Sequence, residues 1–137
     1  MKKLFMLLIV AINLFGIDLT GKINWAMNYE SAVKLAKSQN KLIMIDISKT
    51  DCTPCEYLAM EVYSDDEIAN YVNSNFIPLF YLVDKDSLPV IVQNYFTGTT
   101  PTIMFLEANG KLVYRIIGAR SPKVFLNILK SVEGNRK

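Results

Sequence analysis

Histidine is absent from this chain of 137 residues, and cysteine occurs twice, at Cys52 and Cys55. A structural zinc or iron–sulfur site normally draws four ligands from such residues, so neither is expected within one copy of the chain. Covalent haem attachment needs a histidine directly after the second cysteine, and Glu56 stands there instead. An excess of one charge is also lacking. The 15 basic and 13 acidic residues leave a net charge of +2 and are spread along the chain, which offers no footprint for nucleic acid. No repeat, low-complexity tract or linker divides the sequence. With 51% hydrophobic residues, the chain is long enough for one core and too short for two ordinary domains.

The longest apolar run, Leu4 to Phe15 broken only by Asn13, follows Met1, Lys2 and Lys3. A positive start ahead of an apolar run is the pattern of a secretory signal. The run falls short of the roughly 20 residues that span a bilayer comfortably. Residues 1–16 are therefore expected to be a signal peptide ending at Gly16, or an N-terminal membrane tether, with residues 17–137 forming the folded domain. No cysteine follows the run to carry a lipid. The expected location is the periplasm.

Periodicity predicts a helix from Tyr29 to Gln39, capped by Asn28, with Ala32, Leu35 and Ala36 on its inner face. Leu42 to Ile47 reads as a buried strand, and a helix follows from Cys55 to Val62, with Pro54 tolerated in its first turn. Ser64-Asp65-Asp66-Glu67 has the form of a capping box for the next helix. Phe76 to Val83 is a second core strand, and Ser87 and Pro89 open a short helix to Tyr95. Thr102 to Glu107 and Lys111 to Ile117 flank an Asn109-Gly110 hairpin signal, both of whose residues tolerate positive φ. Ser121 and Pro122 begin the last helix. This order, crossover units first and an antiparallel pair last, predicts an α/β fold with a mixed central sheet flanked by helices.

Cys52-Thr53-Pro54-Cys55 sits where the first strand passes into a helix. Unpaired N–H groups and the positive end of the helix dipole favour the Cys52 thiolate, the attacking species. Cys55, one turn later, faces inward and is placed to attack a mixed disulfide formed at Cys52. A purely structural disulfide here would close a very short loop and add little stability. Asp46 lies among apolar neighbours; it is either a buried acid of raised pKa or a strand-end residue reaching solvent. Trp25 reads as a packing residue.

On these residues the chain resembles the thioredoxin superfamily from Trp25 to Val132. Asp46, six residues before Cys52, stands where the family carries a buried acid. Thr100-Pro101-Thr102 occupies the place of its cis-proline loop, and Gly118 matches a glycine near the same surface. Ile23-x-Trp25, Ala36-Lys37 and Lys41 look most like exported relatives, including the carboxy-terminal domain of the transmembrane carrier that delivers reductant to the periplasm. The resemblance implies a thioredoxin-like three-layer sandwich and thiol-disulfide exchange without a bound cofactor or metal. It also implies protein disulfides as substrates and a membrane thiol carrier as electron donor. Asp46 would accept the proton of Cys55, while Thr53, Pro54, Thr100 and a cis Pro101 would receive an extended substrate segment. Asp51, in place of the usual aromatic residue, and Thr53, in place of glycine, depart from the pattern. A carboxylate beside Cys52 opposes its thiolate and pulls toward a reductase. A disulfide oxidase or isomerase, and a non-enzymatic copper(I) or interaction module, are the alternative readings.

Overall fold

The computed structural model describes residues 18–136; the signal peptide or tether expected at 1–16 lies outside them. Helix α1 (Tyr29–Gln39) starts where the Asn28 side chain accepts the Ser31 N–H at 2.8 Å, and stops at Asn40 in the left-handed region, φ 51°. Its inward stripe runs through the buried Ala32 and Ala36 and the partly buried Tyr29 and Val33. Leu35, expected on that stripe, is exposed, because the 29–32–33–36 spacing centres the contact face about a third of a turn away from it.

Strand β1 (Leu42–Ser48) is buried along its whole length. Helix α2 (Thr53–Tyr57) follows and continues through a π-helical turn, Leu58–Val62. Next come α3 (Asp66–Asn75), β2 (Phe76–Leu82), α4 (Val90–Tyr95), β3 (Thr102–Leu106), β4 (Leu112–Ile117) and α5 (Pro122–Gly134). The strands lie in the order β2-β1-β3-β4, with β1 parallel to β2 and antiparallel to β3, and β3 antiparallel to β4.

Alternation along β1 divides its side chains between two cores. Leu42 and Met44 face Leu58, Val62, Ile68, Val72, Phe125 and Leu129 from the α2, α3 and α5 side. Ile43, Ile45 and Ile47 face Ala32, Ala36 and Val92 from the α1 and α4 side. The result is the helix, sheet, helix sandwich expected from the sequence.

Several helix and turn details differ from expectation. Asp65, not Ser64, caps α3 by accepting the Ile68 N–H at 3.0 Å, while the Ser64 hydroxyl donates back to the Met60 carbonyl. A carboxylate at a helix start gains more from the dipole than a hydroxyl does. Ser121 occupies the cap position of α5, yet its side chain makes no cap bond; Pro122 supplies the preset φ that starts the helix. The short helix begins at Val90, with Pro89 in the cap position at ψ 146°; Leu88, before the proline, is kept out of helical backbone. In the hairpin Gly110 alone takes positive φ, 90°. Asn109 contributes its side chain instead, accepting the Lys111 N–H at 3.0 Å.

Candidate active site

Central strand β1 delivers the chain to the cysteines at its carboxyl end. Asp51 turns it there in the left-handed region, φ 54°, a conformation that aspartate tolerates better than most residues. Cys52 then occupies the cap position of α2 in extended backbone, and the Glu56 N–H donates to the Cys52 carbonyl at 3.0 Å. Cys52 and Cys55 are joined by a disulfide with Cα atoms 5.2 Å apart. Both cysteines are buried, Cys52 at 8% exposure less completely than Cys55 at 1%. Thr53 and Pro54 between them are exposed.

The loop that precedes the pair is held from the side. Asp84, just past β2, accepts the Thr50 N–H at 3.1 Å and also the Thr50 hydroxyl. These bonds, the hydroxyl's first, keep the Asp84 carboxyl below the ordinary carboxylate range.

The Thr100–Pro101 peptide bond is cis. Thr100 lies against the first cysteine, its hydroxyl oxygen 3.5 Å and its carbonyl oxygen 3.8 Å from Cys52 Sγ. A disulfide sulfur carries no proton, so the Thr100 hydroxyl is the donor in this contact. The loop is fixed by the Gly118 N–H donating to the Pro101 carbonyl at 2.8 Å and the Thr102 hydroxyl donating to the Thr99 carbonyl at 2.7 Å. Gly118 has φ 86°.

Asp46 is fully buried, on the sheet face that also carries the cysteine helix. Ser48 Oγ donates to one carboxylate oxygen at 2.5 Å, and the Tyr63 hydroxyl donates to the other. Burial pushes the Asp46 pKa up from 3.8 to about 6, against the opposing pull of these two hydrogen bonds. Tyr63 is pushed well above its ordinary value by burial first, then by the Asp46 charge. The alternative of a strand-end aspartate reaching solvent is thereby removed.

The structure thus gathers Cys52, Cys55 and Thr100-Pro101 at one end of the sheet, with Asp46 inside the core beneath the cysteine helix. Sequence reasoning passes over Ser48, Thr50, Tyr63 and Asp84 as parts of this arrangement. Ser48 is within its reach, since it lies two residues after Asp46 and so on the same strand face. Among the described residues, no group of three or more histidine, cysteine or acidic side chains is placed to hold a metal ion.

The thioredoxin-like domain family matches residues 29–133. This chain belongs to that family. It is 33% identical to thioredoxin H4 of Arabidopsis thaliana over 95 residues, which is 69% of this chain and 75% of the relative. A putative disulphide-isomerase from Bacteroides thetaiotaomicron superposes with a TM-score of 0.69 at 29% identity, covering 82% of this chain and 93% of the other. The oxidised carboxy-terminal domain of DsbD from Neisseria meningitidis shares the fold, with a TM-score of 0.58 at 14% identity over 73% of this chain and 87% of the other. With its Cys-x-x-Cys pair joined at the head of a helix, the thioredoxin-like chain is a thiol-disulfide oxidoreductase.

Proposed function

We propose that the protein is an exported, periplasmic reductase of protein disulfides. Cys52 is the attacking thiol, Cys55 the resolving thiol and Asp46 the proton acceptor. The observation that carries the mechanism is the graded burial of the pair: the less buried cysteine at the helix start beside Thr100, a fully enclosed one a turn later, and a buried carboxylate on the same face.

The Cys52 thiolate attacks one sulfur of a substrate disulfide, forming a mixed disulfide and releasing the first substrate thiolate. Cys55 gives its proton to the Asp46 carboxylate, and its sulfur attacks Cys52 Sγ. The Cys52–Cys55 disulfide closes, the second substrate thiolate leaves, and the substrate has gained two electrons. Thr100, Pro101, Thr53 and Pro54 frame the approach, so that an extended substrate segment lies along the Thr100 backbone as an added strand.

The direction of electron flow is supported by Asp51, whose carboxylate one residue before Cys52 disfavours the thiolate. Export is supported by the lysines and apolar run of residues 2–15, which would leave a tethered or free domain outside the cytoplasm. A reductase there needs electrons brought across the membrane, and a membrane thiol carrier is the class of donor that supplies them.

Cys52→Ser is expected to abolish reduction of insulin disulfides, and Cys55→Ser to accumulate mixed disulfides with cell-envelope proteins; undiminished turnover by either variant overturns the mechanism. A measured potential near that of thioredoxin, about −270 mV, supports the reductase direction, whereas one near that of DsbA, about −120 mV, overturns it in favour of an oxidase.

A further inference from the structure

Among the described residues, the hydrogen-bond partners of Asp46 include no cation; hydroxyls serve both of its oxygens. Across the sheet it stands opposite Phe80 on β2 and Ile103 on β3. A carboxylate so placed depends on those hydroxyls to exist as an anion, because an unpaired buried charge takes up a proton instead. Ser48 comes from the same strand, whereas Tyr63 reaches the carboxylate from beyond the π-helical turn that follows the cysteine helix.

Tyr63 is held from several sides. Its ring meets Trp25 edge-on at 5.4 Å and Phe125 at 6.0 Å, and Trp25 also packs on Phe80 at 5.3 Å. Its carbonyl accepts the Lys22 N–H at 2.8 Å. Gly21 passes so close that a Cβ there would fall 2.5 Å from Tyr63 Cβ. The lead segment before α1 therefore pins the phenol in place. The shift of the Tyr63 hydroxyl above its ordinary pKa keeps it a proton donor throughout the neutral range.

We propose that Tyr63 is a positioning residue for thiol-disulfide exchange: its hydroxyl stabilises the ionised Asp46 carboxylate and so sets the pH above which Asp46 can accept a proton. The consequence for exchange rests on the reading of Asp46 as proton acceptor for Cys55; the hold on the carboxylate does not.

Tyr63→Phe keeps the ring and removes the donor. Carbon-13 titration of the Asp46 carboxyl in the oxidised full chain is expected to show its midpoint rising by about one pH unit, a tenfold tighter hold on the proton. An unmoved midpoint overturns the proposal. Urea unfolding gives a second reading: the stability lost in Tyr63→Phe must be larger at pH 8, where Asp46 is charged, than at pH 5, and an equal loss at both marks a purely packing role and overturns it. In an Asp46→Asn background the difference between pH 5 and pH 8 must vanish; its persistence also overturns the proposal. The pH profile of insulin reduction separates the two layers. A profile that follows the carboxyl midpoint supports both, while a moved midpoint with an unmoved profile upholds the role of Tyr63 and rejects Asp46 as the proton acceptor.

Discussion

Asp46 carries a linkage between proton binding and stability whose sign follows from its environment. Its carboxyl titrates at about 6 in the folded chain against 3.8 for a free side chain, so between these values the native state binds more protons than the unfolded one. Stability contributed by this residue is therefore present below about pH 4 and is lost as pH rises through about 6. Asp46→Asn removes the penalty. At pH 8 it is expected to stabilise the oxidised protein by up to about 3 kcal/mol, since each pH unit between the folded and unfolded midpoints is worth about 1.36 kcal/mol, and by little at pH 4. Urea denaturation across that range checks it, and an advantage independent of pH would contradict the assignment. In the sequence, the apolar neighbours of Asp46 and its distance from Cys52 are legible. Its partner Tyr63 is not, because the two lie 17 residues apart and no local spacing brings a phenol to a strand. The Thr50–Asp84 pair is hidden for the same reason, its members lying 34 positions apart.

At the scale of elements, local chemistry decides what is readable. Helix α1 ends where two asparagines punctuate it, Asn28 by its side chain and Asn40 by its left-handed backbone. Adjacent polar residues such as Ser64 and Asp65 compete for one cap, and only the path of the preceding turn determines which is used. As sequence, the lead segment is little more than an approach to Trp25; in the fold it clasps the domain. The Trp25 indole N–H donates to the Thr20 carbonyl at 2.8 Å, and Asn73 of α3 accepts the Asn24 N–H at 2.8 Å. Gly21 is the tight point, with φ 58° and Tyr63 backbone carbon 2.7 Å from where a Cβ would stand. Gly21→Ala combines a left-handed backbone penalty with overpacking and is expected to cost roughly 2–4 kcal/mol. Thermal unfolding measures that loss, and Trp25 fluorescence in the folded variant reports whether the lead has moved; unchanged values in both would show that the clasp is not tight.

The whole molecule is a sheet between two unequal cores, and the chemistry occupies the larger. The nearly continuous apolar run of β1 makes the layered arrangement legible, since a strand buried on both faces requires helices on both sides. How those helices meet is not legible, because it depends on rings from distant segments. Phe125 of α5 is fully buried and packs edge-on against Tyr63. Phe125→Ala is expected to cost about 3–5 kcal/mol, a large share of the roughly 5–15 kcal/mol that holds a domain of this kind together. Chemical denaturation would measure it, and a loss below about 1 kcal/mol would mean that the core closes over the gap.

The unequal burial of the two cysteines has a consequence for how the reduced pair meets an oxidant. When the pair is reduced, a peroxide or an alkylating agent is expected to reach the less buried Cys52 before the fully enclosed Cys55. A sulfenic acid formed at Cys52 would have a waiting thiol beneath it, and the two can condense to the disulfide before further oxygen is added. On the proposed mechanism, the burial that orders the exchange reaction would thus also convert a first oxidative injury into an ordinary intermediate of the protein's own cycle.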